Sequence, residues 1–157
     1  MGNEIDNSKG ITKIDGVLLT PLKNISDDRG AVLHFLRSDS PSYQKFGEVY
    51  FSLINENVVK GWKRHKILYQ NFCVPHGEIK FVIYDNRFDS ITKGNIQEIV
   101  LDNKEKYNLL SMPSGLWYSF KCLSSDYAVL ANFIDFPHSP EESESFPLIC
   151  KDIPYVW

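Results

Sequence analysis

Residues 60–85 read KGWKRHKILYQNFCVPHGEIKFVIYD, and their pattern decides the fold class. Short apolar runs rich in Val, Ile, Phe and Tyr are separated by turn residues, the spacing expected of an all-β sandwich or barrel. Pro75-His76-Gly77 reads as a tight hairpin joining Gln70–Val74 to Glu78–Asp85. In the second of these strands Ile79, Phe81 and Ile83 share one face and Lys80, Val82 and Tyr84 the other. The first face is core, whereas the mixed one suits either a solvated surface or the wall of a polar pocket.

The same pattern continues on both sides. Strands are expected near 16–22, 31–37, 47–55, 58–64, 68–74, 78–85, 96–101, 107–112, 116–122 and 127–135, with Asp27-Asp28-Arg29-Gly30 as a turn. Alanine, the best helix former, occurs only at Ala31, Ala128 and Ala131, which argues against a helical bundle. Pro137 to Glu144 is proline-interrupted and acidic and is read as an exposed loop. Ile153-Pro154-Tyr155-Val156-Trp157 carries large apolar side chains that need a surface, either the domain's own wall or a subunit interface.

A chain of 157 residues with 43% hydrophobic content predicts one domain, 11–157, after a frayed 1–10. A core of this size is stable without disulfides or metals, so any metal must be argued from ligands. Seventeen Lys plus Arg against twenty Asp plus Glu give a formal charge of -3, with no general attraction for nucleic acid or an anionic membrane. Cys73, Cys122 and Cys150 form an odd set without CxxC spacing, which fits a reducing compartment, and Cys73 and Cys122 read as small core residues. MGNEIDNSKG lacks the apolar stretch of a signal peptide, Asp6 breaks the myristoylation pattern, and no apolar run is long enough to span a membrane. The chain is read as soluble and cytoplasmic.

The densest chemistry is Lys60-Gly61-Trp62-Lys63-Arg64-His65-Lys66, followed by Gln70 and Gly77. By itself such a run also reads as a solvated edge strand whose lysines prevent aggregation. Strict alternation puts Lys63 and His65 on one face and Arg64 and Lys66 on the other. Trp62 and Trp117 suit either packing or stacking on a base. His34 reads as structural, and His76 and His138 as surface residues.

The spacing of His65, Gln70 and Gly77 resembles the first cupin motif, and Pro113-Ser114-Gly115-Leu116-Trp117-Tyr118 resembles the second. Lys63, Gln70 and Tyr118 stand where three of the four metal ligands would be. Lysine is a cation, and Gln and Tyr are poorer ligands than Glu and His, so the reading is a metal-free site with no cofactor. Together with Asp28-Arg29-Gly30, Lys60-Gly61, Met112-Pro113-Ser114-Gly115, Asp135-Phe136 and Pro140-Glu141-Glu142, the chain resembles the dTDP-4-dehydrorhamnose 3,5-epimerase family and the related dTDP-sugar 3,4-ketoisomerases.

That resemblance implies an all-β cupin, a jelly-roll barrel of antiparallel strands with few or no helices, assembled as a homodimer. It implies an epimerase acting on a nucleotide-linked 4-keto-6-deoxyhexose for surface polysaccharide, dTDP-linked in preference to GDP- or CDP-linked. A 3,4-ketoisomerase and a non-catalytic nucleotide-sugar binder are the alternatives. Protons beside a ketone are acidic, so epimerisation needs a base, a group that steadies the enolate, and an acid on the opposite face. The resemblance nominates His65 as base. Lys63 is the candidate to steady the enolate, the concentrated positive charge makes Lys60, Arg64 and Arg29 candidates for a diphosphate, and Gln70 and Asn132 complete the substrate-binding set. Two family features look absent. Ala131 occupies the usual position of the acid tyrosine, and Ser145-Phe146-Pro147 replaces the Asp-Pro that pairs with the histidine. Tyr118 is the candidate substitute acid, with a wall aromatic as its other reading.

Overall fold

The computed structural model describes residues 13–157, and its regular secondary structure is almost wholly antiparallel strand. One five-stranded sheet has the order β1-β9-β6-β11-β4, made of Leu18–Pro21, Asn108–Met112, Gln70–His76, Tyr127–Ile134 and Glu48–Asn55. The facing sheet has the order β12-β5-β10-β7-β8, made of Ser143–Ser145, Val59–His65, Trp117–Cys122, Glu78–Tyr84 and Ile96–Asp102. A separate hairpin pairs β2 (Asn24–Asp27) with β3 (Gly30–Leu33) through the expected turn. The one short helical turn among the described residues is the 3-10 turn Pro140–Glu142. No helix of the described residues is long and apolar enough to cross a membrane.

Period-two alternation builds the space between the sheets. Ile79, Phe81 and Ile83 of β7 meet Phe72 and Val74 of β6, Leu110 and Met112 of β9, and Ala128 and Leu130 of β11. Each large side chain removed from water there contributes about 1.5–3 kcal/mol. The hairpin after β6 closes at Gly77, whose φ of +79° is cheap only for a residue without Cβ.

The opposite face of β7 is neither solvated nor a pocket wall. Val82 and Tyr84 lie under the chain's own C-terminal segment, with Trp62, Trp117 and Ile153 buried beside them and Phe146, Tyr155 and Trp157 packed around them. Tyr155 donates to Glu98 Oε1 and Lys80 pairs with the same carboxylate at 2.9 Å, which fixes the segment on the wall. Of the two readings of the C-terminus, its own domain wall is the one observed. Both tryptophans are packing residues, and Cys73 and Cys122 are buried.

Two local expectations are corrected. Asn24–Asp27 forms a strand where none was expected. Residues 137–144 are not simply an exposed loop, because the 3-10 turn and the start of β12 lie there and Glu142 is only 8% exposed. Proline at the start of the turn, which lacks an N–H to satisfy, favours the change of direction after β11. Residues 1–12, including the segment expected to fray, lie outside the described residues.

Candidate active site

β5 carries the candidate base, and its register with β10 is irregular. Tyr118 pairs with Lys63, but Phe120 pairs with Lys60, so three steps along β5 match two along β10. This is a β-bulge at Gly61-Trp62. Gly61 backs onto Leu148 and the Phe146 carbonyl, and Trp62 Nε1 donates to the Leu148 carbonyl. Both bulge residues therefore face the C-terminal segment. Cross-strand partners share a face, so Lys60 returns to the side of Lys63 and His65, which simple alternation would not give. Arg64 stays outside, over the Trp117 ring and bonded to Glu144. Arg64, a candidate for substrate binding, thus lies on the outer face that alternation gives it, with its guanidinium engaged by Glu144.

His65 is 1% exposed and held at both ring nitrogens. Nδ1–H donates to Glu142 Oε2 at 2.6 Å. The other Glu142 oxygen accepts the Ile67 and Leu68 N–H groups at 2.8 and 3.1 Å. Burial is the largest influence on Glu142 and would raise its pKa, but the Ile67 N–H, His65 and the Leu68 N–H together hold it below the ordinary value. An ionised carboxylate only accepts, so the proton is on Nδ1 and Nε2 keeps its lone pair. Tyr118 O–H donates to that Nε2 at 3.2 Å, and Gln70 Nε2 donates to the Tyr118 oxygen at 3.2 Å.

The charges are set to match. Burial lowers the His65 pKa, with the Glu142 bond opposing and Lys63 reinforcing, so the imidazole is neutral at neutral pH. Burial also lowers the Lys63 pKa, against the pull of Glu142. Among the described residues the Lys63 ammonium has no hydrogen bond or ion pair, which leaves it available to an anion. Burial raises the Tyr118 pKa well above the ordinary phenol, keeping it protonated.

The absence of a carboxylate partner for His65, expected from Ser145-Phe146-Pro147, is corrected: Glu142 supplies it. β12 pairs Ser143 with His65, and Lys66 N–H donates to the Glu142 carbonyl, so backbone bonding next to the histidine fixes where the carboxylate arrives. The sequence signal was Pro140-Glu141-Glu142 itself, which matched the family's Pro-Glu segment. Ala131 packs outside the interior with Cys73 and Tyr107.

From the facing sheet, Asn132 and Gln70, the candidates for substrate binding, are both buried, and Gln70 meets Tyr118. Asn132 Nδ2 donates to the Tyr50 hydroxyl at 2.8 Å, while its buried Oδ1 has no partner among the described residues. Tyr50 was not foreseen. Strand β4 alternates in an unusual sense, with Glu48, Tyr50 and Ser52 half-buried and Val49, Phe51 and Leu53 exposed. That polar inward face is legible in the sequence of the strand. Arg29 is not among the groups around His65. It sits at the tip of the β2–β3 hairpin, its side chain 85% exposed and paired with Asp27. Among the described residues no three His, Cys, Asp or Glu side chains converge as metal ligands. The donors beside His65 are a phenol, an amide and an ammonium.

Comparison with known proteins agrees with this fold. A crystal structure of a dTDP sugar isomerase from Desulfovibrio desulfuricans G20 is 40% identical, covers 94% of each chain and superposes with a TM-score of 0.91. The probable low-salt glycan biosynthesis epimerase Agl13 of Haloferax volcanii is 30% identical over 122 residues, 76% of this chain and 78% of that protein. The spore coat polysaccharide biosynthesis protein SpsL of Bacillus subtilis is 28% identical over 131 residues, 83% and 86% of the two chains. The facing antiparallel sheets are the cupin jelly roll. The family model described as dTDP-4-dehydrorhamnose 3,5-epimerase matches residues 11–157, and the chain belongs to that family.

Proposed function

We infer that this protein is a nucleotide-sugar epimerase, an isomerase that inverts a carbon beside the ketone of a nucleotide-linked 4-keto-6-deoxyhexose. The observation that carries the reading is the neutral, buried His65, aimed by Glu142 and accompanied on its face of β5 by Lys63. His65 Nε2 takes the proton beside the ketone, and the pair of the broken C–H bond becomes an enolate. Lys63 offers that enolate a positive charge in a low-dielectric interior, where it counts for more than in water. Glu142 keeps the tautomer and stabilises the imidazolium as it forms.

Binding follows from the same face. Lys60 suits a diphosphate as a point charge, with Gln70 and Asn132 as polar contacts for the sugar and Arg29 reaching phosphate from the hairpin. A dTDP-linked sugar is favoured over GDP- or CDP-linked ones, and surface polysaccharide supply is the proposed setting. Tyr118 lies on the base's own nitrogen, where it gives up its bond to Nε2 when substrate enters. Proton transfer of this kind needs no metal or cofactor. The three unpaired cysteines fit the cytoplasm as the place of action. A homodimer is supported by the exposed apolar face of β4 and by Ile25 and Val32, exposed on the β2–β3 hairpin.

The carboxylate on His65 favours turnover over binding alone. The test is proton NMR of dTDP-4-keto-6-deoxyglucose in deuterated buffer with wild type and His65→Ala. Deuterium should enter beside the ketone with wild type only, giving an inverted carbon. A carbonyl that moves instead means ketoisomerisation. No exchange with dTDP-, GDP- or CDP-linked ketosugars would sink the enzymatic reading.

A further inference from the structure

Inversion requires a proton to arrive on the sugar face away from the one His65 deprotonates, and the groups so far assigned do not supply it. Tyr118 stands on β10 next to β5 and its hydroxyl is bonded to His65 itself, so it is on the base's side. We propose that Tyr50 is the acid that returns the proton, and that Asn132 holds it in position; this rests on the epimerase reading above.

Three observations carry the assignment. Tyr50 lies on β4, in the sheet facing the one that bears His65, and β4 packs across the interior against β10. It belongs to the half-buried inward set Glu48, Tyr50 and Ser52, so its phenol enters the space between the sheets from the opposite wall. Asn132 Nδ2 already donates to the Tyr50 oxygen, so the phenol proton is free to point elsewhere and the oxygen is ready to take negative charge. The fully buried Oδ1 of Asn132 lacks a donor among the described residues. A buried acceptor left unmade costs about 1–3 kcal/mol, and a sugar hydroxyl placed between the sheets would satisfy it while lying against Tyr50.

The balance of the step is simple. The C–H pair passes to the enolate and the proton to His65 Nε2, and the enolate carbon then takes the proton of Tyr50 on its other face. An imidazolium and a phenolate remain, and one proton passing between them through solvent restores both, with no oxidant or reductant. Burial raises the Tyr50 pKa, the Asn132 bond lowers it, and the charges of Glu48 and Glu142 raise it, so the phenol rests protonated. Glu48 on its own strand, Glu142 on the 3-10 turn and Tyr118 on β10 are the titratable groups that act on it.

The experiment compares wild type, Tyr50→Phe and His65→Ala on dTDP-4-keto-6-deoxyglucose in deuterated buffer, reading deuterium entry and configuration separately. Tyr50→Phe should still admit deuterium beside the ketone, because His65 removes and returns it on one face, while the inverted sugar falls by about 10²–10⁴-fold. Inversion at the wild-type rate overturns the proposal. So does loss of deuterium entry in a folded Tyr50→Phe, which would make Tyr50 a binding residue. A wild type without exchange on any ketosugar removes the epimerase reading and this assignment with it, whereas failure of Tyr50→Phe alone leaves that reading standing. If Tyr50→Phe does not fold, 3,5-difluorotyrosine at position 50 replaces it. Its more acidic phenol must move the alkaline limb of the rate profile to lower pH, and an unmoved limb overturns the proposal.

Discussion

Removing the charge of Glu142 while keeping its shape separates its two effects on His65. The carboxylate forces the proton onto Nδ1 and also favours the imidazolium. In Glu142→Gln the amide can donate to Nδ1, which puts the proton on Nε2, where it cannot accept one from substrate. Deuterium entry should fall by about 10²–10⁴-fold. In the molecules that keep the working tautomer, loss of the negative charge lowers the His65 pKa further, so the acid limb of the residual rate should move to lower pH. A rate within threefold of wild type would show that Glu142 does not orient the base. His65, Gln70 and Tyr118 were legible from motif spacing because a β-strand fixes direction every second residue. Glu142 was marked only by its Pro-Glu segment, and its contact with His65 was not legible, since its approach depends on β12 pairing 78 positions beyond the histidine (143 against 65). Local sequence does not report such a contact.

At the scale of elements, the site depends on how β11 hands the chain to the 3-10 turn. Gly47 lies where that passage crosses the start of β4: its N–H donates to the Ile134 carbonyl, and a Cβ there would run into the backbone of Asp135 and Phe136. Backbone cannot swing away as a side chain does. Gly47→Ala should therefore cost about 3 kcal/mol, a fall in melting temperature of roughly 6–12 °C for a domain of this size. A fall of less than about 2 °C in a thermal melt, on the same scale, would mean the passage gives way cheaply. Ten strands were readable because apolar alternation is strong in them. β2 was lost among polar residues of a free hairpin, and β12 because three residues of Ser and Glu carry no periodicity. The bulge at Gly61-Trp62 was invisible for a different reason. It exists through pairing with β10 and contact with the C-terminal segment, and it alone turns Lys60 to the face of Lys63.

For the whole molecule, β4 carries an apolar face that no other described residue covers. It is the edge of its sheet, and its outward face shows Phe51 and Leu53 at 64% and 65% exposure with Val49 beside them. A long apolar edge open to water invites pairing with other chains. A second copy of this chain, the partner proposed above, would cover it and bury the same residues from both sides, as a two-fold interface requires. It would also leave the polar face of β4, and with it Tyr50, inside the barrel. Burying each such side chain contributes about 1.5–3 kcal/mol, and a carboxylate in its place resists desolvation. Phe51→Glu combined with Leu53→Glu should therefore convert a dimer to a monomer in light scattering after size exclusion, with circular dichroism of the strands retained. Since both substitutions point away from the interior, deuterium entry per folded chain should persist unless the partner completes the site. A wild type that is monomeric at micromolar concentration, or a double variant that stays dimeric, would place the interface elsewhere or remove it.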